Sequence, residues 1–163
     1  MGFTLIELLV VIAIVGILAT IAVVNTGKNP DRDIRLEKDR LTSFLREVQN
    51  KALTAEKISP APTGKVCGFG VKMSGSNVRS YYVSTTNLNA DCSSKVAESG
   101  TDYADVFMPR TSDVSITLNG SSLFFLIPHG EAFLNGASFP ATFTIEKSGQ
   151  TVEVKIRKSG IIE

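Results

Sequence analysis

A single carboxylate, Glu7, stands at the start of an apolar run from Leu8 to Val24 that is interrupted only by Gly16 and Thr20. The stretch from Leu5 to Val24 has 20 residues. As a helix it would extend about 30 Å, the thickness of the hydrocarbon core of a bilayer. A charged group beside such a segment is costly unless it has a partner. We therefore interpret Glu7 as a functional residue that pairs with a cation.

No other group of residues has the spacing of a catalytic or metal-binding motif. His129 is the only histidine, and it lies in a Pro-His-Gly sequence without a metal-ligand spacing nearby, so we interpret it as a turn residue. The serines occur in no nucleophile-elbow pattern. Loop acids suit calcium, but solvated acids explain the irregular spacing better; they are Asp91, Asp102, Asp105 and Asp113. We predict no enzyme activity, no metal and no cofactor.

The composition leaves room for one membrane segment and one globular domain. With 163 residues and a formal net charge of +1, the chain has no excess of positive charge that would indicate a nucleic-acid partner. Cys67 and Cys92 are a candidate disulfide if the domain is exported, and a bridge that closes a loop of this length would contribute about 3 kcal/mol. Two separate reduced thiols are the alternative.

The N-terminal apolar segment has three interpretations: a cleaved secretory signal, a plain membrane anchor and an assembly helix. A secretory signal has a positive n-region and a shorter apolar region, whereas here no Lys or Arg precedes a longer apolar run. The stretch Ala19 to Ala22 loosely suits a signal peptidase. Because neither a signal nor a plain anchor accounts for Glu7, we favour the assembly helix.

The segment from Gly2 to Ala19, GFTLIELLVVIAIVGILA, resembles the N-terminus of type IV pilins and type II secretion pseudopilins. The resemblance implies that a membrane-embedded prepilin peptidase cuts between Gly2 and Phe3, and that the new Phe3 amine is then methylated. It also implies that Glu7 corresponds to the characteristic acid of the family.

The same resemblance implies a location and a set of partners. The chain would cross the bacterial inner membrane once, with its soluble domain on the periplasmic or extracellular side, and would then enter a pilus or pseudopilus. Its partners would be other pilin or pseudopilin subunits, the prepilin peptidase, the inner-membrane assembly platform and membrane lipid.

A physical argument supports Phe3 as the partner of Glu7. A free chain-start amine titrates near pH 8 and is mostly cationic at neutral pH. Its attraction to a carboxylate grows as the local dielectric falls. Such a pair, within one subunit or between neighbours, can set the axial register of packed helices, although its net stabilising value can be small. A Glu7 side chain that reaches the membrane interface is the alternative.

Two features depart from the family pattern. The family leader normally carries Lys or Arg before the glycine, but only Met1 precedes Gly2, so the leader is either truncated or its start is misassigned. Basic residues also follow the apolar run closely, and the positive-inside rule would place that side in the cytoplasm; they are Lys28, Arg32, Arg35, Lys38 and Arg40. We follow the family, because acids are interleaved with these bases.

Periodicity predicts an α+β fold, and the resemblance implies that its arrangement is pilin-like. A long N-terminal α-helix, transmembrane in its first half, packs on a small, mainly antiparallel β-sheet domain. The predicted parts are a residual leader (1–2), a transmembrane and assembly helix (3–25), an amphipathic helix (26–58) and a soluble β-rich domain (59–163). A breaker cluster lies at 25–30. The amphipathic stripe repeats every seven residues; its residues are Ile34, Leu41, Val48 and Ala55.

Beyond residue 59 the apolar period changes to two. We predict strands at 66–71 and 79–85 joined by a turn, then a polar irregular loop from Thr86 to Ser112. Alternation at 114–118 followed by Asn119-Gly120 and an apolar strand at 123–127 indicates a second hairpin. Strands at 142–147 and 152–158 form the last hairpin.

The C-terminal third resembles the ending of the GspH/FimT-type minor pilins, in which a strand, a Pro-x-Gly turn, a hairpin and a glycine follow one another. Some of those minor pilins bind DNA through C-terminal arginines, so Lys155, Arg157 and Lys158 are candidate DNA contacts, with Lys147 in the same basic cluster. Contacts of this kind would be salt-sensitive. The chain departs from that pattern because it ends Ile161-Ile162-Glu163. A solvated strand face is the preferred interpretation, and a minor pilin or pseudopilin is the predicted function.

Overall fold

The computed structural model describes residues 4–25, 30–58, 63–89, 92 and 100–163. Helices α1 (Leu5–Asn25) and α2 (Pro30–Leu53) precede strands with the bounds β1 Lys65–Ser74, β2 Asn77–Thr85, β3 Thr101–Phe107, β4 Ser115–Leu118, β5 Ser122–Leu126, β6 Ala132–Asn135, β7 Ala141–Lys147 and β8 Gln150–Ile156. Helix α2 packs on both of the antiparallel sheets that the strands form. The predicted α+β architecture is confirmed. Residues 26–29 of the predicted helix break lie outside the described residues.

Helix α2 buries one stripe, as its heptad spacing predicts, and ends a turn earlier than predicted. The buried residues are Ile34, Glu37, Leu41, Leu45, Val48 and Ala52. The helix ends at Leu53 because Ala55 has a left-handed backbone with a φ of 49°. The Ala55 N–H donates to the Ala52 carbonyl (3.3 Å) and the Glu56 N–H to the Lys51 carbonyl (3.0 Å), which is a Schellman-type end. Ala55 is therefore exposed and not on the apolar stripe.

The strands form a five-stranded sheet with the order β3-β2-β1-β5-β6 and a three-stranded sheet with the order β4-β7-β8. The first predicted hairpin is confirmed as β1 and β2, with Ser74 opposite Asn77. The last predicted hairpin is confirmed as β7 and β8, with Lys147 opposite Gln150. Both hairpins are local structures whose alternating residues already identify the buried face.

The hairpin predicted at Asn119-Gly120 is wrong. Strand β4 pairs with β7 and strand β5 pairs with β1, so the chain passes from one sheet to the other at this point. The Asn119 side chain donates from Nδ2 to the Pro140 carbonyl and accepts at Oδ1 from the Thr142 N–H, both at 2.9 Å. These bonds continue the β4–β7 pairing and offer the backbone an alternative to a tight turn.

The loop predicted from Thr86 to Ser112 contains a strand, β3, which pairs with β2 at the edge of the larger sheet. The polar composition of this stretch predicted a loop. In the structure, however, neighbouring cations neutralise the acids of β3. The Asp102 carboxylate lies 2.5 Å from Nζ of Lys72 and 3.7 Å from Nη1 of Arg79. Strand β6 was not predicted either and pairs with β5 at the other edge.

The larger of two apolar clusters lies between α2 and the sheets and contains fully buried side chains such as Leu41, Phe69 and Phe143. The smaller cluster lies on the opposite face of the five-stranded sheet, because Phe124 alternates with Leu123 and Phe125 of the larger cluster. On β1 a register shift between Val66 and Gly68 brings Cys67 to that face. The members of the smaller cluster are Cys67, Tyr81, Val83, Cys92 and Phe124.

A disulfide and two glycines shape the smaller cluster. Cys67 on β1 is bonded to Cys92, so the segment between β2 and β3 is tied to this face. The stacked rings of Tyr81 and Phe124 lie with their centroids 6.2 Å apart. They cover Gly70 and Gly68, where a Cβ atom would come within 2.7 Å and 2.5 Å of the respective rings. Only glycine leaves room for this packing.

Replacing Ala55 by glycine should stabilise the protein. Ala55 occupies the left-handed position that favours glycine after a helix. We expect Ala55→Gly to raise the free energy of unfolding by about 0.5–1 kcal/mol, measured by urea unfolding of the full chain in detergent micelles. Ala52→Gly is the matched control at a buried position in the last turn of the helix and should destabilise by about 1 kcal/mol or more. A lower urea midpoint for Ala55→Gly would contradict this helix end.

Candidate functional site

Helix α1 presents apolar side chains on all sides. Large apolar residues from Leu5 to Leu18 are exposed, and within the described part of the chain no other element covers them. A helix that is apolar all round normally lies in lipid or among other helices. The surface of α1 is therefore a contact surface for something outside the folded β domain.

Glu7 and Thr4 cap the start of α1. The Thr4 N–H and the Thr4 hydroxyl both donate to Oε2 of Glu7 at 2.9 Å, and the Glu7 N–H donates back to Oγ1 of Thr4 at 3.4 Å. This is a capping box, in which two groups at a helix end satisfy each other's backbone donors. Sequence reasoning missed Thr4, although the Thr-x-x-Glu spacing before an apolar run is the signal that identifies it.

The predicted partner of Glu7 is outside the described residues, which begin at Thr4. Gly2 and Phe3, the predicted processing residues, are therefore not placed, and the pairing of Glu7 with the Phe3 amine stays a prediction. The geometry of Glu7 is compatible with it: both hydrogen bonds from Thr4 go to Oε2, and Oε1 accepts none from the described residues. One oxygen atom of the carboxylate is thus open to a cation.

The structure brings Lys155, Arg157 and Lys158 together and gives each an acidic neighbour. They surround a cleft of about 390 Å³ that Phe139 and Pro140 also line. The ion pairs are Lys155–Glu153 at 2.8 Å, Arg157–Glu163 at 2.6 Å and Lys158–Glu131 at 3.6 Å. A hydrogen bond to Glu153 raises the pKa of Lys155. Three acids therefore offset the charge of the three candidate DNA contacts.

Lys147 is not part of that basic cluster, which corrects its sequence assignment. Its side chain is only 5% exposed and lies 2.7 Å from an Asp33 oxygen and 3.4 Å from an Asp113 oxygen. Strand β7 buries every second residue, and that alternation carries Lys147 inward behind Phe143 and Ile145. The ammonium group joins β7 to the first turn of α2 and to the loop before β4.

The loop acids that could suit calcium are occupied or outside the described residues. Asp105 forms an ion pair with Lys51, Asp102 with Lys72 and Asp113 with Lys147, whereas Asp91 is not described. No cluster of three or more His, Cys, Asp or Glu side chains able to hold a metal occurs in the described ranges. His129 is exposed in the turn after β5.

Comparison with known proteins identifies the N-terminal segment. Residues 2–23 match the family model of the prokaryotic N-terminal methylation motif, which includes Glu7 and most of α1. No solved structure matches the chain. Of the helices in the described residues, none is long and apolar enough to cross a membrane.

Lys147→Met should destabilise the protein in a pH-dependent way. A hydrogen bond to Asp33, partly opposed by burial, raises the pKa of Lys147, so the stabilisation is complete below the ordinary lysine pKa and lost as the pH rises through the higher folded value. A hydrogen bond from Thr111, with Lys147 adding to it, lowers the pKa of Asp113. That contribution is present above the ordinary aspartate pKa and lost as the pH falls through the lower folded value.

The stability difference between wild type and Lys147→Met should therefore be constant between about pH 5 and 9 and shrink on either side. Urea unfolding of the full chain at several pH values measures it. Lys158→Met removes an exposed lysine and should leave the urea midpoint nearly unchanged. If both variants unfold at the wild-type midpoint at neutral pH, the buried ion pairs do not hold α2 to the domain.

Proposed function

We propose that this chain, whose N-terminal methylation motif supports a type IV pilin-like protein, is a minor subunit of a type IV pilus or a type II secretion pseudopilus. In this proposal the prepilin peptidase cuts between Gly2 and Phe3, and the Phe3 amine is methylated. The subunit is held in the inner membrane by its N-terminal helix, with the β domain on the periplasmic or extracellular side. The single observation that carries the proposal is Glu7 at the start of an exposed apolar helix.

The C-terminal third supports the GspH/FimT subtype. Strand β5 is followed by a turn from Ile127 to His129 and by Gly130, which has a φ of +66°. The β7–β8 hairpin comes next, and Gly160, with a φ of +82°, turns the chain back along β8. This succession of strand, turn, hairpin and glycine is the pattern that the resemblance to minor pilins rests on.

Assembly is the work that α1 can do. When an apolar helix leaves the lipid, equally apolar neighbours must cover it. Otherwise its exposure to water would cost about 25 cal/mol of free energy per Å² of apolar surface. Packing of apolar helices alone fixes the axial register weakly. A carboxylate at one height on the helix changes this, because each misplaced register leaves a charge without its counter-ion.

In the isolated subunit, the Glu7 carboxylate accepts hydrogen bonds from Thr4. The capping box holds the carboxylate at the helix start while the chain lies in the membrane. We infer that the Phe3 amine of the same or a neighbouring subunit approaches the free Oε1, so that the cap need not open when the ion pair forms. A hydrogen bond between charged groups is stronger than one between neutral groups, so the ion pair can strengthen a position that the cap already defines.

DNA binding through Lys155, Arg157 and Lys158 is the second candidate function. One observation favours it: the three cations surround one cleft with an aromatic wall, Phe139. The pairing of each cation with an acid opposes it, because phosphate binding depends on releasing counter-ions to a net positive surface. We therefore place assembly first and propose no catalytic step.

Glu7→Ala should leave peptidase processing intact and block incorporation into filaments. The cleavage site precedes Glu7, whereas the proposed register pair requires its carboxylate. Processing is followed by intact-mass measurement of the chain, which detects the loss of the residues before Phe3 and the added methyl group, and incorporation is followed by the presence of the chain in sheared filament fractions. Glu146→Ala, which removes an exposed acid of β7, is the control and should be incorporated normally. Normal incorporation of the Glu7→Ala subunit would refute the register pair.

The DNA alternative has a direct test. The detergent-solubilised full chain is mixed with duplex DNA at low salt, and its mobility shift is compared with that of a variant in which Lys155, Arg157 and Lys158 are alanine. Because the three charges are offset, we expect no shift for either protein. Retardation by the wild type that disappears in the triple variant and weakens steeply with salt would establish DNA binding instead.

A further inference from the structure

Helix α2 has an open groove along the flank that faces β3. The groove has a volume of about 430 Å³, and its walls include Leu36, Arg40 and Phe44 from the helix and Phe107 from β3. Met108 follows Phe107 and is 57% exposed, and Leu36 is 46% exposed. We call this the β3-side groove. Its apolar floor and exposed apolar rim are typical of a surface that another molecule covers.

Contacts within the chain hold the side chains that form the β3-side groove. Glu37 is buried, accepts hydrogen bonds at 2.8 Å and 2.6 Å from Nη1 of Arg40, and accepts the Arg110 N–H at 3.1 Å. Arg40 in turn lies 5.1 Å from the centre of the Phe107 ring, and the Phe44 and Phe107 rings are 5.8 Å apart. A preformed surface binds without the cost of ordering these side chains.

The rim of the β3-side groove is acidic. Asp39 and Glu47 line it one helical turn on either side of Ser43. Glu47 already lies 3.3 Å from Nζ of Lys51, but the Asp39 carboxylate has no ion pair with the described residues. The groove therefore suits an apolar side chain that has a cation beside it.

The chain itself presents such a side chain on its C-terminal segment. Ile161 is 53% exposed, and the exposed cations Arg157 and Lys158 lie just before it. The segment is held in place because the Arg157 N–H donates to the Ile161 carbonyl at 2.9 Å and Gln49 donates to the Gly160 carbonyl at 2.8 Å. We call Ile161 with Lys158 the C-terminal knob.

The groove and the knob lie on opposite flanks of α2. Arg40 contacts the β3 side and Gln49 contacts the C-terminal segment, and nine residues at 100° each place these two positions half a turn apart. A contact between two different surfaces of the same protein is head-to-tail, so it can repeat from one copy to the next. The copies then form a closed ring if the rotation between neighbours brings the last copy back to the first, and an open array otherwise. Because the two surfaces lie on opposite flanks, one copy can use its groove and its C-terminal segment at the same time.

We propose that the β3-side groove receives the C-terminal knob of a second copy of this chain, with Ile161 against Phe44 and Lys158 beside Asp39. The second copy is the occupant because the chain carries both halves of the contact. This inference rests on the proposed function, since packing of α1 brings the α2 flanks of neighbours side by side. Lys158 can leave Glu131 for Asp39 at little cost in free energy, because an exposed ion pair contributes little stability. A single cation is enough to pair with Asp39, whereas DNA binding requires a net positive surface.

Disulfide cross-linking in cells tests the contact. Full-length chain carrying both Met108→Cys and Ile161→Cys is expressed, and membranes and sheared filaments are oxidised and separated without reductant. We expect a cross-linked dimer and, when the chain is expressed in excess over the other subunits, a ladder of trimers and higher species, because each copy has both halves. The control pair is Leu88→Cys with Ile161→Cys, which places an equally exposed residue outside the groove and should give no ladder.

Charge variants in the same cysteine background test the pairing. Asp39→Lys places like charges together and should lower the ladder yield by about tenfold or more, and adding Lys158→Glu should restore it. A ladder without this charge dependence would refute the pairing of Asp39 with Lys158.

The result distinguishes this contact from the proposed function. If the cysteine variant enters filaments normally but no ladder forms, or if Met108→Cys links only to a different protein, the contact between copies is wrong and the assembly function stands. If the wild-type chain enters no filament and no ladder forms, the proposed function itself fails.

Discussion

The proposed assembly depends on the confinement of one carboxylate to the start of an apolar helix. Glu7 is the acid of α1, and its two bonds from Thr4 hold it where the helix dipole favours negative charge. Every apolar side chain further along α1 is interchangeable with its neighbours as a contact. A charge has no such freedom, because its energy changes steeply with its surroundings. In the proposed assembly the apolar surface of α1 would drive association, and Glu7 would define one position along it.

Buried charges perform a related task within the β domain. Lys147 links β7 to the start of α2, and Glu37 links α2 to the segment after β3. Each of these groups would be costly to bury alone, and each has at least one partner distant in sequence. Because the partners belong to different elements, they restrict how α2 can sit on the sheets. Helix α2 is thus held in one orientation on the sheets, which its apolar stripe alone would define less sharply.

Local patterns were sufficient to predict much of this fold, and distant partners account for the errors. The stripe of α2 and the β1–β2 and β7–β8 hairpins follow from periods that neighbouring residues define. Strand β3 was missed because an acid such as Asp102 is more typical of a loop than of a strand. The cation that neutralises it, Lys72, lies on a different strand and cannot be assigned to it from the local sequence. The β4–β5 hairpin was wrong because the Asn119 side chain bonds to residues more than 20 positions later. The Thr4 cap and the inward position of Lys147 could both have been predicted from the sequence. The first follows from the Thr-x-x-Glu spacing and the second from the alternation of buried residues along β7.

The pairing of surface charges also bears on what the β domain can recognise. The cations that looked like a binding patch have acidic neighbours at 2.6–3.6 Å, and the acids of β3 that looked like loop ligands have cationic ones. A surface on which each charge has an opposite charge a few ångströms away exerts little long-range attraction on a polyanion. Recognition by such a surface must come from short-range fit, in which apolar side chains meet and single charges are matched. The domain is therefore suited to neighbours that the helices bring into contact, and poorly suited to capturing a charged ligand from solution.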